Sequence, residues 1–468
     1  MALVFWAISA LLRETQRFSL SAPVLIFLFI TTLSTVVSVE PMLSWGRMRT
    51  VSLLMLMPLA ATCLRTAGRL RWIAGALIVS CVLSAGYTGW QYLWGVGVQI
   101  GAPANSPAAK AGFVDRDVID RINDLPIHSP GQWFGALRGL PSGSMVRLRV
   151  QRGSPPDPME KRLSFRDLEI SGLTVPGSGI SLARPFRAQG NFQHYFPYSE
   201  VLVEVGLLAF ALALTALRAR RLRLAVVLAG AFLAIAMALE ATLTRISMVS
   251  LLIGCGLILL LLSKPTMRWV ILPVVLVVAG TVTLYFTARR GEAHIWQDSG
   301  TQYRLLMWKG SWSIIQQHPL LGVGLDAVAG HWQRWDLDAY RRFPLRSHFH
   351  STPIQLTVET GLLGLIAWIW LIGAMARSLW KTVGGFAPPG VRPVDDASTR
   401  DWFSQGVLLG ALAGLVAFLI IGLLQYNFGD AEFMVVFWLV CGLALATVDR
   451  GKDIALCSSI PSGLLPTN

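Results

Sequence analysis

The sequence predicts a mainly α fold: a polytopic membrane helical bundle of about ten transmembrane helices with one small α/β domain inserted into it. Three observations carry this expectation. Of 468 residues, 54% are hydrophobic and only 14% charged, against roughly 25% charged in soluble domains. Many apolar runs approach or exceed the ~18–20 residues that cross a bilayer. Between Gly95 and about Asp167 the composition turns polar, and Val96–Ile100 and Val146–Val150 alternate there like half-buried strands.

The formal net charge of +14 and the pI near 10.1 would suggest nucleic acid in a soluble protein. Here they read as basic loops retained on the cytoplasmic side of a membrane. No basic helix with interleaved aromatics is present, so no nucleic-acid partner is expected. Cys63, Cys81, Cys255 and Cys441 fall in apolar runs, and Cys457 falls in the C-terminal tail. That placement argues against a disulfide framework and against a thiolate-held zinc. Met1–Leu12 is apolar but lacks a basic leader and a small-residue cleavage site. It reads as an interfacial or remnant span rather than a signal peptide.

Residues 1–94 form the N-terminal transmembrane region, with spans expected at Pro23–Val39, Val51–Leu64 and Trp72–Trp94. Arg13 and Arg17, then Arg65, Arg69 and Arg71, fit the cytoplasmic side. Trp90, Tyr92 and Trp94 form an aromatic belt at the other interface. Residues 95–168 form the inserted domain. In it, Ser106-Pro107 opens a capped helical turn, Asp117–Asn123 is a strand entering a turn, and Gly131–Leu140 is a helix ended by Pro141. This order resembles a bacterial PDZ domain, on Asn105–Gly112, Asp117-Val-Ile119, Ile122-Asn123, Pro126-Ile127 and Arg149-Val-Gln-Arg152. Arg116 stands where that family usually has glycine. The resemblance implies docking of a partner's peptide as an added strand; a spacer or lid without a ligand is the other reading.

Residues 169–198 read as an outer loop containing Arg184, Arg187, Gly190, Phe192 and His194. Residues 199–287 hold the spans Ser199–Leu217, Leu224–Leu239, Ile246–Leu262 and Trp269–Thr287. Arg218–Arg223 carries four arginines in six residues, the strongest cytoplasmic signal in the chain. Lys264 and Arg268 mark the next inner turn. Counting spans then places residues 288–352 outside, together with the inserted domain and Arg245. Residues 353–448 hold the spans Ile354–Met375, Trp402–Leu424 and Ala431–Val448. Ala376–Asp401 is a basic, Pro/Gly-rich cytoplasmic linker, and residues 449–468 are a cytoplasmic tail with Arg450 and Lys452.

The polar segment 288–352 concentrates chemistry. It holds five of the seven histidines (His294, His318, His331, His348 and His350) and five of the 17 tryptophans. A neutral imidazole is the usual general base near pH 7, and His350 is the candidate. His348, two residues away, would share its face on an extended backbone. With Asp326, Asp336 or Asp338 the pair could hold a metal. No second metal-like spacing supports that, so neither metal nor cofactor is expected. Arg304 opens a helical stretch that ends at His318-Pro319, with Trp308, Trp312 and Ile315 on its face. Its fixed, permanently charged fork suits a diphosphate; the alternative is an arginine snorkelling to the interface. Trp308 packs against helices or against sugar rings. Arg245 lies between two apolar runs, where a charge costs roughly 2.5–3.5 kcal/mol. Its partner is Glu240 or a lipid-linked phosphate, and Arg187 is a loop-borne version of the same idea. Gly322 and Gly324 allow a tight turn, and Glu359 caps or orients the helix near His350.

Taken together, Arg304-x-x-x-Trp308, His318-Pro-Leu-Leu-Gly322-Val-Gly324, His348-x-His350 and Glu359-x-Gly-Leu-Leu-Gly364 resemble the O-antigen ligase and polymerase superfamily. Thr244-Arg245 and Arg187-x-x-Gly190-x-Phe192 add to the likeness, which runs from about Arg184 to Val448. Ser351 departs from it, since members usually have asparagine after the histidine. The resemblance implies metal-independent glycosyl transfer at the periplasmic face of a bacterial inner membrane. A glycan would leave undecaprenyl diphosphate for a hydroxyl on lipid A core, a growing glycan or a protein. His350 would be the base, and Arg304 and Arg245 would hold the diphosphate. Arg187, His348, Trp308, Gly322, Gly324 and Glu359 would contact substrate. Among rivals, a membrane protease is disfavoured because neither His-Glu-x-x-His nor Gly-x-Ser-x-Gly occurs. A transporter would place charges at mid-membrane, where Glu204 is the mild exception. A noncatalytic membrane anchor presenting the PDZ-like module is the non-enzyme alternative.

Overall fold

The computed structural model describes residues 20–64, 66–141, 143–152, 157–177, 179–184, 187–289, 299–330, 335, 348–384 and 402–458. The expectations for Met1–Leu12, for residues 385–401 of the linker, for the last residues of the tail and for His294, His331, Asp336 and Asp338 lie outside them; the first part of the expected linker, from Ala376, instead continues the helix Thr352–Gly384. The described chain divides into two compact units. One comprises the residues up to Val82, Phe196–Glu240 and those from Thr244 on; the other comprises Leu83–Tyr195 and Ala241–Leu243.

The first unit is a helical bundle, and the chain is a multi-pass membrane protein. Eight of the described helices are long and apolar enough to cross a membrane. They are α4 (Ala67–Trp94), α8 (Tyr195–Arg218), α9 (Leu222–Ala241), α10 (Arg245–Leu262), α11 (Pro265–Arg289), α14 (Thr352–Gly384), α15 (Trp402–Leu424) and α16 (Ala431–Ser458). The shorter α1 (Ser21–Val36) occupies the place of the first expected span. Where a single span was expected over Val51–Leu64, the chain is helical but broken. The helix α2 (Pro41–Ser52) passes through a 3₁₀ turn, Leu53–Met55, into α3 (Leu56–Cys63). Two local causes stand out. The Ser52 hydroxyl donates to the Arg49 carbonyl at 2.7 Å, and Pro58 has no N–H with which to continue the ladder.

Small residues set the helix packing, as they do where lipid removes the usual hydrophobic drive. Gly406, Gly410 and Gly414 on α15 lie against Leu212, Leu208 and Glu204 on α8, so these helices are antiparallel. Gly254 on α10 lies against Leu207, and Ser247 meets Ser199 at 2.9 Å, so α8 and α10 are parallel. The N-terminal ends of α8 and α10 and the C-terminal end of α15 therefore share one end of the bundle. Most of α15 is buried. Phe418 stacks on Phe437 at 4.3 Å and packs with Phe433.

The second unit is built on an antiparallel sheet in the order β5-β4-β2-β1-β6, with β3 paired to β2. Its strands are β1 (Gly97–Ile100), β2 (Asp117–Ile122), β3 (Leu125–Pro126), β4 (Met145–Arg152), β5 (Asp157–Ser164) and β6 (Ile180–Ala183). The short helices α5 (Pro107–Lys110), α6 (Pro130–Arg138) and α7 (Phe165–Ile170) complete it. The Ser106 and Ser129 hydroxyls cap α5 and α6. Alternation along β4 buries Val146, Leu148 and Val150 against Trp133, Val98 and Ile119. Arg149 on the other face, and Arg152 at the strand's end, bind Asp120 and Asp117 through paired hydrogen bonds of 2.6–2.8 Å. The segment read as a loop after residue 168 contributes β6, which pairs along the whole of β1. Arg116 adopts φ 68°, a left-handed conformation that favours glycine. The glycine expected at this position thus has a backbone cause, and Arg116 accepts the strain.

Candidate functional site

The site grows from two sequence motifs that complete each other. Helix α14 breaks at Gly361, which has φ 68° and ψ −174°. The break leaves backbone groups of Val358–Leu363 without helical partners, and such groups must be satisfied elsewhere. The His318–Gly324 loop supplies the partners. Val323 N–H donates to Val358 O and Gly324 N–H to Glu359 O, both at 2.9 Å, while Leu362 N–H donates to Pro319 O at 2.8 Å. A Cβ on Gly361 would meet Leu320 O, and one on Gly322 would meet Val358 O and the Glu359 backbone. A Cβ on Gly324 would meet the Ser38 hydroxyl. These three glycines therefore serve close backbone approach. Gly322 and Gly324, expected to contact substrate, face protein instead.

The turn between α1 and α2 clamps this interlock from outside. Ser34 donates to Glu359 O at 2.7 Å, Ser38 to Val323 O at 3.0 Å and Ser44 to Leu325 O at 2.9 Å. Glu359 itself is 1% exposed. Its carboxylate accepts from Asp326 N–H at 2.8 Å, Gln355 Nε2 at 2.7 Å and the Tyr426 hydroxyl at 3.2 Å. Both of its oxygens are thus engaged by protein donors.

Helix α12 (Ser299–Gln317) carries Arg304 and Trp308, and the short α13 (Ala327–Gly330) follows the His318–Gly324 loop. The Trp308 indole donates to Phe349 O at 2.9 Å, and Gln355 Oε1 accepts from Phe349 N–H at 2.8 Å. The residue between the two histidines is thus held from both sides. His350 lies at φ 51°, so the extended backbone expected for His348-x-His350 is not what brings the pair together. The chain bends, and the rings meet with centroids 4.1 Å apart. Strained φ values of this kind persist only where the surroundings enforce them.

His350 is 5% exposed. Its Nδ1 lies 3.1 Å from Gln425 Oε1, and the Tyr303 ring stands edge-on at 5.5 Å. With Gln425 presenting oxygen, the imidazole donates from Nδ1 and carries its lone pair on Nε2. Arg304 Nε donates to Leu424 O at 3.0 Å. Arg304 and His350 therefore converge on consecutive residues at the C-terminal end of α15. Arg245 is the first residue of α10 and is half-buried. Helix polarity puts it at the same end of the bundle. Arg187 belongs to the second unit, where its guanidinium lies 4.3 Å from the Tyr195 ring centroid.

The sequence reading missed the polar stretch Gln425–Asp430, which it treated only as a gap between spans. Thr352 donates to Asn427 Oδ1 at 2.8 Å, Asn427 Nδ2 donates to Phe418 O at 2.9 Å, and the Tyr426 ring lies 5.9 Å from His348. Arg47, also missed, donates to Gly429 O at 3.2 Å. Burial lowers the Arg47 pKa, but Tyr426, Asp326, Glu359 and Asp430 outweigh it and hold the guanidinium above its usual value. Burial pushes the Tyr426 hydroxyl well up and the Asp430 carboxyl up to about 7, the latter against the pull of Arg47. The available signal was the density of polar residues, Gln-Tyr-Asn-Phe-Gly-Asp, between two apolar runs. Among the described residues no three His, Cys, Asp or Glu side chains gather as a metal site.

Comparison with known families gives two matches. Residues 230–369 match the family model described as O-antigen ligase, and residues 102–152 match that of the PDZ domain. The ligase match is narrower than the motif resemblance; it contains Arg245, Arg304, His348, His350 and Glu359 but neither Arg187 nor Gln425–Asp430. No curated protein matches the chain. The chain thus carries a domain of the O-antigen ligase family, preceded by an inserted PDZ domain.

Proposed function

We propose that this protein is a membrane glycosyltransferase of O-antigen ligase type, acting in cell-envelope polysaccharide biosynthesis. It moves a glycan from undecaprenyl diphosphate to an acceptor hydroxyl at the periplasmic face of a bacterial inner membrane. The observation that carries this reading is the convergence of His350 and Arg304 on Leu424-Gln425, at the bundle end that also bears Arg245.

The acceptor oxygen attacks the anomeric carbon while His350 takes its proton on Nε2. The bond from that carbon to the diphosphate oxygen breaks, and the diphosphate leaves with the electron pair. Arg304 and Arg245 stabilise the charge that develops there, a role guanidinium groups fill without a metal. Trp308 and Gln425 set the ring's position and tautomer. His348, its ring beside that of His350, contacts the glycan. Lipid A core, a growing polysaccharide and a protein hydroxyl are the candidate acceptors. The PDZ domain supports a peptide partner, added as a strand to its sheet.

The test is transfer by the purified protein from a lipid-linked glycan, with surface glycans examined in a deletion strain. His350→Ala and Arg304→Ala each lower transfer by at least ~10³-fold while the protein still inserts. Full activity in both variants would remove His350 and Arg304 from the reaction; no transfer by the purified wild-type protein would remove the enzyme reading and leave the noncatalytic anchor. Loss of glycan ladder length in the deletion strain indicates a polymerase; intact but unattached glycan indicates a ligase.

A further inference from the structure

A cleft of about 470 Å³ opens beside the clamp, lined by Leu43, Arg47, Arg49, Thr50, Leu53 and Asp326, with Gly46 and Ala431 completing it. Its chemistry is amphiphilic. Arg47 uses Nη2 on Gly429 O. Arg49 is exposed and uses only Nε, on Gly46 O of its own helix at 3.0 Å. The remaining N–H groups of both forks make no hydrogen bond among the described residues. Two guanidinium groups against one carboxylate leave the cleft cationic. Leu43, Leu53 and Ala431 give it an apolar wall. On the same helix, Met42 is 86% exposed and Trp45 48% exposed, the amphipathic signature of a membrane–water interface.

These features point to one kind of occupant. Arginine forks match phosphate oxygens in pairs. The Asp326 carboxylate and the Thr50 hydroxyl suit hydroxyl groups beyond the phosphate. We propose that this cleft binds the phosphate headgroup of a membrane lipid, with Arg47 and Arg49 on the phosphate and the acyl chains against Leu43 and Leu53. The site is separate from the one holding His350 and Arg304. Arg47 also donates to Gly429 O, in the same polar stretch as the Gln425 that meets His350.

The test is a titration of the full-length protein in non-ionic detergent, read by native mass spectrometry of bound lipid. Phosphatidylglycerol, which combines phosphate with a diol, is the lipid probe. Diacylglycerol is the phosphate-free control, and inorganic phosphate is the soluble probe. The wild-type protein retains phosphatidylglycerol and not diacylglycerol. Arg49→Gln, at an exposed position that leaves the fold intact, weakens retention about tenfold, and Arg47→Lys with Arg49→Gln weakens it further. Equal retention by the variants, or equal retention of diacylglycerol, overturns the proposal. So does inorganic phosphate binding as tightly as the lipid, since free phosphate would then be the ligand. His350→Ala keeps the lipid whatever it does to transfer, so the two readings stand or fall separately.

Discussion

At the scale of single residues, the arrangement around His350 fixes a proton. Gln425 Oε1 lies 3.1 Å from Nδ1, a contact that the tautomer donating from Nδ1 satisfies, and the Trp308 indole holds the neighbouring carbonyl. Replacing the neutral amide by a carboxylate tests this contact. Gln425→Glu places a negative charge beside the ring, which favours the imidazolium and raises its pKa. The base form then appears only at higher pH, so the acid limb of the kcat/KM profile moves up by about one unit. An unmoved limb, with activity retained, would mean that His350 is not the titrating base. His350 itself was legible in the sequence from the motif around it. Gln425 was not, because 75 residues separate it from its partner and neither residue carries a spacing that points to the other.

At the scale of elements, the interlock of the His318–Gly324 loop with the break in α14 is the critical joint. Gly361 has φ 68°, and a Cβ there would meet Leu320 O. Gly361→Ala therefore costs about 1–3 kcal/mol from this essentially glycine-only backbone conformation alone, with the clash in addition. A clear drop in Tm of the detergent-solubilised protein is expected, and an unchanged Tm would show the joint to be slack. The stretch after α15 makes a separate claim about pH. Burial pushes the Asp430 carboxyl up to about 7, whereas an unfolded aspartate titrates near ~3.9. The folded state therefore holds this proton more tightly. Asp430 contributes its full stabilisation below the unfolded value, and loses it as pH rises through about 7. Asp430→Asn should flatten the fall of Tm between about pH 4 and pH 7 relative to wild type; parallel curves would contradict the assignment. The two interlocking motifs were visible in sequence as glycine-bearing strings. Their mutual hydrogen bonds were not, since glycine signals close approach without naming what approaches.

At the scale of the whole molecule, the bilayer made most of the architecture legible. A helix that must satisfy its own backbone in lipid declares itself as a long apolar run, and α8, α10 and α15 agree with their expected spans within a few residues. The departures come where that rule weakens. Val51–Leu64 broke into segments around Ser52 and Pro58 because polar residues and proline compete with the ladder. β6 escaped notice because Ile180–Ala183 is short and finds its partner β1 some eighty residues earlier. Arg47 escaped for the same reason, bonding Gly429 across most of the chain. The central claim joins residues from α10, α12, the loop before α14 and the end of α15 into one transfer site. A structure of the full chain bound to a nonhydrolysable undecaprenyl-diphosphate-linked sugar tests it most directly. The account predicts the diphosphate within hydrogen-bonding reach of Arg304 and Arg245, with the sugar's anomeric carbon beside His350. A diphosphate seated elsewhere, with His350 and Arg304 untouched, would contradict it.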